Sequence, residues 1–275
     1  MARKDFFNVP RTPAQTSQGP FDLPALYRDV SVRQLVFWVD YDKALPKLED
    51  TGLAPMELQK GKTIASLIFY NYRKVDNVEP YEEIGLGITA GLKSDKRSAP
   101  RLRTVFGIPL IPRNLTSYVL ELPVTTAQAR AGGRELWGYP KFLTRLPFKF
   151  YNTGFEFGAL DPDSVESIFY VKADLGRGKG FGMKGFDLVT LSNLDGKILR
   201  TVINIDAKFS VYMKRPVEIK IGAVKHRMAD NLRDLGLDRI QPSMIMCTDV
   251  FRSRLNKGVP VADWPTPPLP YTVTK

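Results

Sequence analysis

With 275 residues, 43% of them hydrophobic and 11% aromatic, the chain can bury a substantial core, which excludes disorder over most of its length. Its net charge of +11 fits either an anionic partner or a basic solvated surface. The basic residues are spread rather than clustered and no zinc-finger, RNP or helix-turn-helix pattern occurs, so the solvated surface is favoured over nucleic acid, and a carboxylate substrate suits the charge equally well.

Along the chain, the Pro-rich start (1–20) reads as an extended arm without the apolar core of a signal peptide. Strand signals, rich in β-branched and aromatic residues, follow at 33–39, 63–75, 82–90, 116–122 and 166–175. Between them "DYDKALPKLED" is a short helix, and "KSDKRSAPRLR" (93–103) is an exposed basic loop. "TTAQARAGGREL" is an Ala-rich helix capped by Thr125 or Thr126, ending near Trp137 because Gly138 serves as C′ and Pro140 disfavours helix at Tyr139. "GFGMKG" (180–185) matches the dinucleotide fingerprint, but a strand-like run follows it instead of a helix. The segment "GRGKGFGMKG" therefore reads as a flexible loop carrying Arg177, Lys179 and Lys184. Asp195-Gly196 marks a hairpin, "SVYMKRPVEIKIGAV" continues the strands, and "HRMADNLRDLGL" is a helix with Met228, Leu232 and Leu235 on one face. A second extended arm closes the chain (258–275). The expectation is one mainly β (α+β) domain over 1–275, an antiparallel barrel-like or curved sheet with a few short helices.

No apolar run reaches the roughly 18 residues of a membrane helix. The single cysteine, Cys247, excludes an intramolecular disulfide framework and fits a reducing cytoplasm. One His and one Cys far apart offer no metal cluster and no Ser-His-Asp hydrolase, and His226 is read as a surface or capping residue.

The segment that a structural role explains least is "GGRELWGYPKF" (132–142). It places Lys141 behind Tyr139 and Pro140 and before Phe142, among apolar and amphipathic neighbours. Burial there disfavours the ammonium form, and a neutral amine is a nucleophile for ketones. A snorkelling surface lysine is the competing reading, and composition alone favours it.

The motif changes that balance. "GRELWGYPKF", with Gly133, Arg134, Glu135, Tyr139, Pro140 and Lys141, resembles the segment of the acetoacetate decarboxylase family that carries its Schiff-base lysine; that enzyme is itself a standard example of an activated lysine. "GPFDLP", "VDYDKALPKL", "PYEEIGLG" and "HRMADNLRDLGLDRIQPSMIM" extend the resemblance less sharply. It implies a β fold enclosing a pocket, a homo-oligomer, no added cofactor and no metal. It further implies imine chemistry on a small keto acid or ketone, with Lys141 catalytic and Glu83 the pocket carboxylate. By strand alternation Glu82 then faces outward.

Three departures from the family pattern bear on the substrate. Phe142 stands where decarboxylating members have a second lysine, no carboxylate stands near Ile68 or Phe69, and the substrate-facing arginine falls at Arg28 or is replaced by Val30. Phe142, Ile68 and Tyr139 would then line a pocket for a bulkier or more apolar keto substrate. Decarboxylation, aldolase-dehydratase chemistry through a lysine enamine, and a non-catalytic small-molecule binder are the functions this leaves.

Overall fold

The strand of residues Lys62–Val75 explains the architecture, because both of its faces are apolar. Alternate residues of a strand point to opposite sides of the sheet. Here Ala65, Leu67 and Phe69 pack into one buried cluster while Ile64, Ser66, Ile68, Tyr70 and Tyr72 line a cavity. A strand covered on both sides reads as a nearly continuous apolar run. The computed structural model describes residues 6–93, 104–105, 108–109 and 115–263.

In chain order, β1 (Thr12–Thr16) and β2 (Gly19–Leu23) pair as a hairpin, and β3 (Ala25–Asp40) leads into the one-turn helix α1 (Tyr41–Ala44). There follow β4 (Leu53–Pro55), β5 (Lys62–Val75), β6 (Tyr81–Leu92), two short strands β7 (Thr104–Val105) and β8 (Ile108–Pro109), and β9 (Thr116–Val124). Helix α2 (Ala127–Trp137) precedes β10 (Lys141–Leu143), β11 (Phe148–Tyr151), β12 (Gly154–Leu160) and β13 (Ser167–Asp174). The rest comprises β14 (Phe181–Lys184), β15 (Leu188–Leu194), β16 (Lys197–Asp206), β17 (Lys208–Met213), β18 (Val217–Ile221), α3 (Arg227–Asp234), β19 (Met244–Leu255) and β20 (Val259–Pro260).

The neighbours β19-β3-β5-β6-β9-β15-β16 form one continuous sheet, and β16 pairs back onto β19, closing a seven-strand barrel. Closure leaves no unpaired edge among these strands. The separate sheet β11-β12-β13-β18 and helix α3 cover one outer side of the barrel. Phe69 of the barrel stacks on Phe157 of that sheet at 5.4 Å, and Phe155, Phe157 and Phe169 are all buried there. Each such side chain stabilises the packing by about 2–3 kcal/mol. Glu121 on β9, fully buried, ties α3 to the barrel by accepting from Arg227 Nε and Nη2 (2.7 and 2.9 Å) and from Asn231 (2.7 Å).

Each expected strand and helix overlaps one or more of these elements, although the helix expected over 40–50 is α-helical only at Tyr41–Ala44, and Asp195 and Gly196, both at positive φ, form the β15–β16 turn. Three expectations change. Much of the N-terminal arm is the β1–β2 hairpin, held by Ser17, whose N–H and hydroxyl donate to the Glu135 carboxylate at 2.8 and 2.5 Å. Part of the glycine-rich loop is β14, which pairs with β17, so the glycines of 180–185 open no helix. The C-terminal arm begins with β20 on the barrel strand β16. Residues 94–103 of the basic segment and the arm from 264 onward lie outside the described residues. Among the described residues, no helix is long and apolar enough to cross a membrane.

Candidate active site

Helix α2 and the turn that ends it set the position of Lys141. Thr126 caps its start by accepting from the Ala129 N–H. Gly138 ends it in the left-handed region (φ 64°), where the Gly138 and Tyr139 N–H groups return to the carbonyls of Arg134 and Gly133. The turn admits nothing larger, since a Cβ at Gly138 would lie 2.2 Å from the Asn193 carbonyl oxygen. Trp137 Nε1 donates to the Asn256 carbonyl and Ser192 Oγ donates to the Trp137 carbonyl, clamping the end of the helix to the barrel. The chain then runs as β10 parallel to β9, with Lys141 opposite Leu122. Arg134 Nη1 reaches the Lys141 carbonyl at 3.5 Å. The stem of Lys141 lies across Gly133, where a Cβ would come within 2.4 Å of Cδ and Cε.

This path buries Lys141 to 6% exposure and points its amine into the barrel cavity. Lys141 Nζ lies 2.6 Å from Glu83 Oε2, and Glu83 is equally buried. The Tyr72 hydroxyl donates to Glu83 Oε1 at 3.2 Å. Glu82, on the other face of β6, takes its hydrogen bond from the Thr125 hydroxyl instead.

Four buried tyrosines, Tyr27, Tyr72, Tyr81 and Tyr139, and the partly buried Tyr70 surround the pair. The Tyr81 ring lies 5.5 Å from Lys141 Nζ and stacks at a tilt on Tyr72, which stacks on Tyr70. The Tyr81 hydroxyl donates to the Tyr27 hydroxyl at 3.4 Å, and the Tyr139 and Thr190 hydroxyls share a 2.6 Å hydrogen bond. Burial raises the pKa of all five, and the negative charge of Glu83 raises each further. Tyr139 is pushed up to about 12. All five therefore stay protonated at neutral pH, and Tyr72 and Tyr81 donate hydrogen bonds, to Glu83 and to Tyr27.

The cavity measures about 180 Å³. Ile68 and Tyr139 line it as expected from the sequence. Arg28 does not: its guanidinium donates to both oxygens of Asp76 (2.5 and 2.7 Å) and covers Phe7. Irregular β3–β5 register around Asp29 leaves Tyr27 as the cavity residue, while Val30 is buried in the core. Phe142 does not line it either. One residue after Lys141, it takes the opposite face of β10, packs toward the second sheet and lies 4.9 Å from the His226 ring. His226 caps α3, its Nδ1 accepting from the Met228 N–H. The tyrosine cage escapes sequence reading, although Tyr70 and Tyr72, like Tyr81 and Glu83, are spaced two apart and so share a face. Among the described residues, no group of three His, Cys, Asp or Glu side chains is placed to hold a metal.

Residues 8–163, which include both Glu83 and Lys141, match the family model described as acetoacetate decarboxylase (ADC). The chain belongs to the acetoacetate decarboxylase family. Its fold is shared with acetoacetate decarboxylase from Legionella pneumophila (14% identity over 94% of each chain, TM-score 0.62). It is also shared with the enduracididine biosynthesis enzyme MppR, solved with the condensation product of pyruvate and imidazole 4-carboxaldehyde (10% identity, 86% of this chain and 88% of that one, TM-score 0.59). An acetoacetate decarboxylase-like enzyme from Sphingomonas wittichii RW1 is a further structural relative (10% identity, 88% of this chain and 94% of that one, TM-score 0.56). No curated protein sequence matches the chain.

Proposed function

We propose that the protein is a cofactor-independent enzyme that forms an imine between Lys141 and the ketone of a small keto acid, and that it releases carbon dioxide from the β position. The observation that supports this most is the 2.6 Å contact between Lys141 Nζ and Glu83 Oε2 inside an apolar cavity. Proton transfer from the ammonium to Glu83 frees the amine lone pair, which attacks the ketone carbon. The protonated Glu83 returns its proton to the departing hydroxyl, so water leaves and a cationic imine remains. The bond to the carboxylate then breaks with its electron pair flowing to the imine nitrogen, releasing carbon dioxide and an enamine. Protonation of the enamine carbon and addition of water return the ketone and the amine. Apolar walls destabilise a substrate carboxylate more than the dispersed charge of this transition state.

A second reading is aldol-type condensation, in which an enamine attacks an aldehyde and water is lost. The hydrogen-bonded Tyr72–Glu83 pair beside the nitrogen supports it, because a proton must move at the adjacent carbon. The MppR complex with a condensation product supports it by likeness of fold. Family membership also supports a homo-oligomer.

The test is carbonyl oxygen exchange. In water enriched in oxygen-18, reversible imine formation should label acetoacetate or a less polar keto acid. Lys141→Ala should lose that exchange, and headspace carbon dioxide separates decarboxylation from condensation. Absence of exchange with every keto acid in the natural protein would overturn the proposal.

A further inference from the structure

The cavity extends well beyond the reactive pair, and its length follows from strand register. Inner-face partners on β5 and β6 are Tyr70 with Glu83, then Ile68 with Gly85, then Ser66 with Gly87. The lining continues to Ile64 and Thr89. At about 3.3 Å per residue, the wall from Glu83 to Thr89 runs ~20 Å, several times the reach of a four-carbon keto acid.

Two inner positions on β6 carry no side chain. A Cβ at Gly85 would touch only Leu122 Cδ1, at 3.4 Å, so this position opens onto the cavity, whereas at Gly87 the space is taken by Ser117 Oγ, 2.6 Å from where a Cβ would lie. Glycine within a strand costs conformational entropy and commonly marks a place where another group approaches the backbone. The wall past Gly85 is mostly apolar, with Val36, Val119, Met244 and Met246, and is interrupted by the neutral polar side chains of Gln34, Ser66, Thr89 and Ser117. Among the described lining residues, only Lys141 and Glu83 are charged, and they are paired with each other. The cavity's 180 Å³ exceeds the roughly 150 Å³ of an engineered apolar cavity that takes up benzene.

We infer that the substrate carries a linear alkyl or aryl tail, laid past the open backbone at Gly85, with its ketone at Lys141. The reacting end rests on the imine reading given above, and the tail rests on the cavity alone. Each methylene moved from water into such a channel raises affinity roughly fourfold. Tail length should therefore dominate recognition.

Secondary alcohols form no imine, so they measure the tail separately from the chemistry. Calorimetry should show octan-2-ol binding tighter than butan-2-ol by on the order of 100-fold. Gly85→Leu should abolish most of that gain by filling the channel. Ser66→Leu, one inner-face step further from the lysine, should do the same and serves if the first variant fails to fold. Similar binding of the two alcohols, or a gain that survives in both variants, would overturn the inference. Borohydride trapping of acetone on the same samples reports the imine reading independently. Chain-length-dependent binding without trapping would sink the chemistry and leave the tail channel standing, whereas trapping without chain-length dependence would do the reverse.

Discussion

Gly133→Ala isolates the packing that aims Lys141. The added Cβ would fall 2.4 Å from Cδ and Cε of Lys141, against about 3.5–4.0 Å for an ordinary carbon contact, so the stem must move by roughly 1 Å. The amine sits at the end of that stem, 2.6 Å from Glu83, and a displacement of this size breaks the contact. Misplacing a reacting group by about 1 Å costs on the order of 100-fold in rate. Stability should change far less. Alanine gains up to about 1 kcal/mol over glycine inside a helix, and overpacking costs about 1–3 kcal/mol, so the net loss is about 2 kcal/mol at most. Single-turnover imine formation, followed by quenching with borohydride, measures the first effect and thermal unfolding the second. A variant that forms the imine at the natural rate would refute the claim that Gly133 positions the lysine.

Glu83→Gln should lower turnover by about 100-fold or more while leaving a trappable imine, whereas Glu82→Gln, on the outer face with Thr125, should retain activity in the same steady-state assay. Phe142→Lys should leave the pH dependence of imine formation unchanged, because the side chain packs beside His226 and away from the cavity, and should lower the melting temperature through lost apolar burial. Raising the pH should destabilise the fold steeply above 10. An unfolded tyrosine ionises near 10.0, whereas buried Tyr139 holds its proton to about 12, so the stability it contributes is present below 10 and is lost between those values, by about 3 kcal/mol. Denaturant unfolding between pH 8 and 12, with tyrosinate absorbance as a second probe, would show a flat stability curve if the cage were solvated.

Most of the β architecture is legible because its strands obey period-two chemistry and its turns carry their own residues, as Asp195-Gly196 does. Closure into a barrel is not, since it depends on β16 meeting β19 across some fifty residues of intervening chain. The lysine is legible through the Gly-Arg-Glu and Tyr-Pro-Lys framing, and the structure supplies physical reasons for two of those residues. Gly133 makes room for the lysine stem, and Glu135 anchors the N-terminal hairpin through Ser17. Phe142 is misread when sequence adjacency is taken for spatial adjacency. The alternation that separates Glu82 from Glu83 also separates Phe142 from Lys141. Arg28 is misread for a different reason: the irregular register of β3 with β5 around Asp29 decides which side chain faces inward, and no local residue pattern announces it. The tyrosine cage and the open backbone at Gly85 leave a visible trace, namely tyrosines and glycines at alternate positions of β5 and β6.

The most direct test of the central claim is intact-mass and peptide mapping after borohydride reduction of the natural protein with a panel of keto acids. One reduced adduct per chain is predicted, on the peptide containing Tyr139, Pro140 and Lys141, and it should be absent from Lys141→Ala. An adduct on a different lysine, or none with any keto acid, would contradict the account.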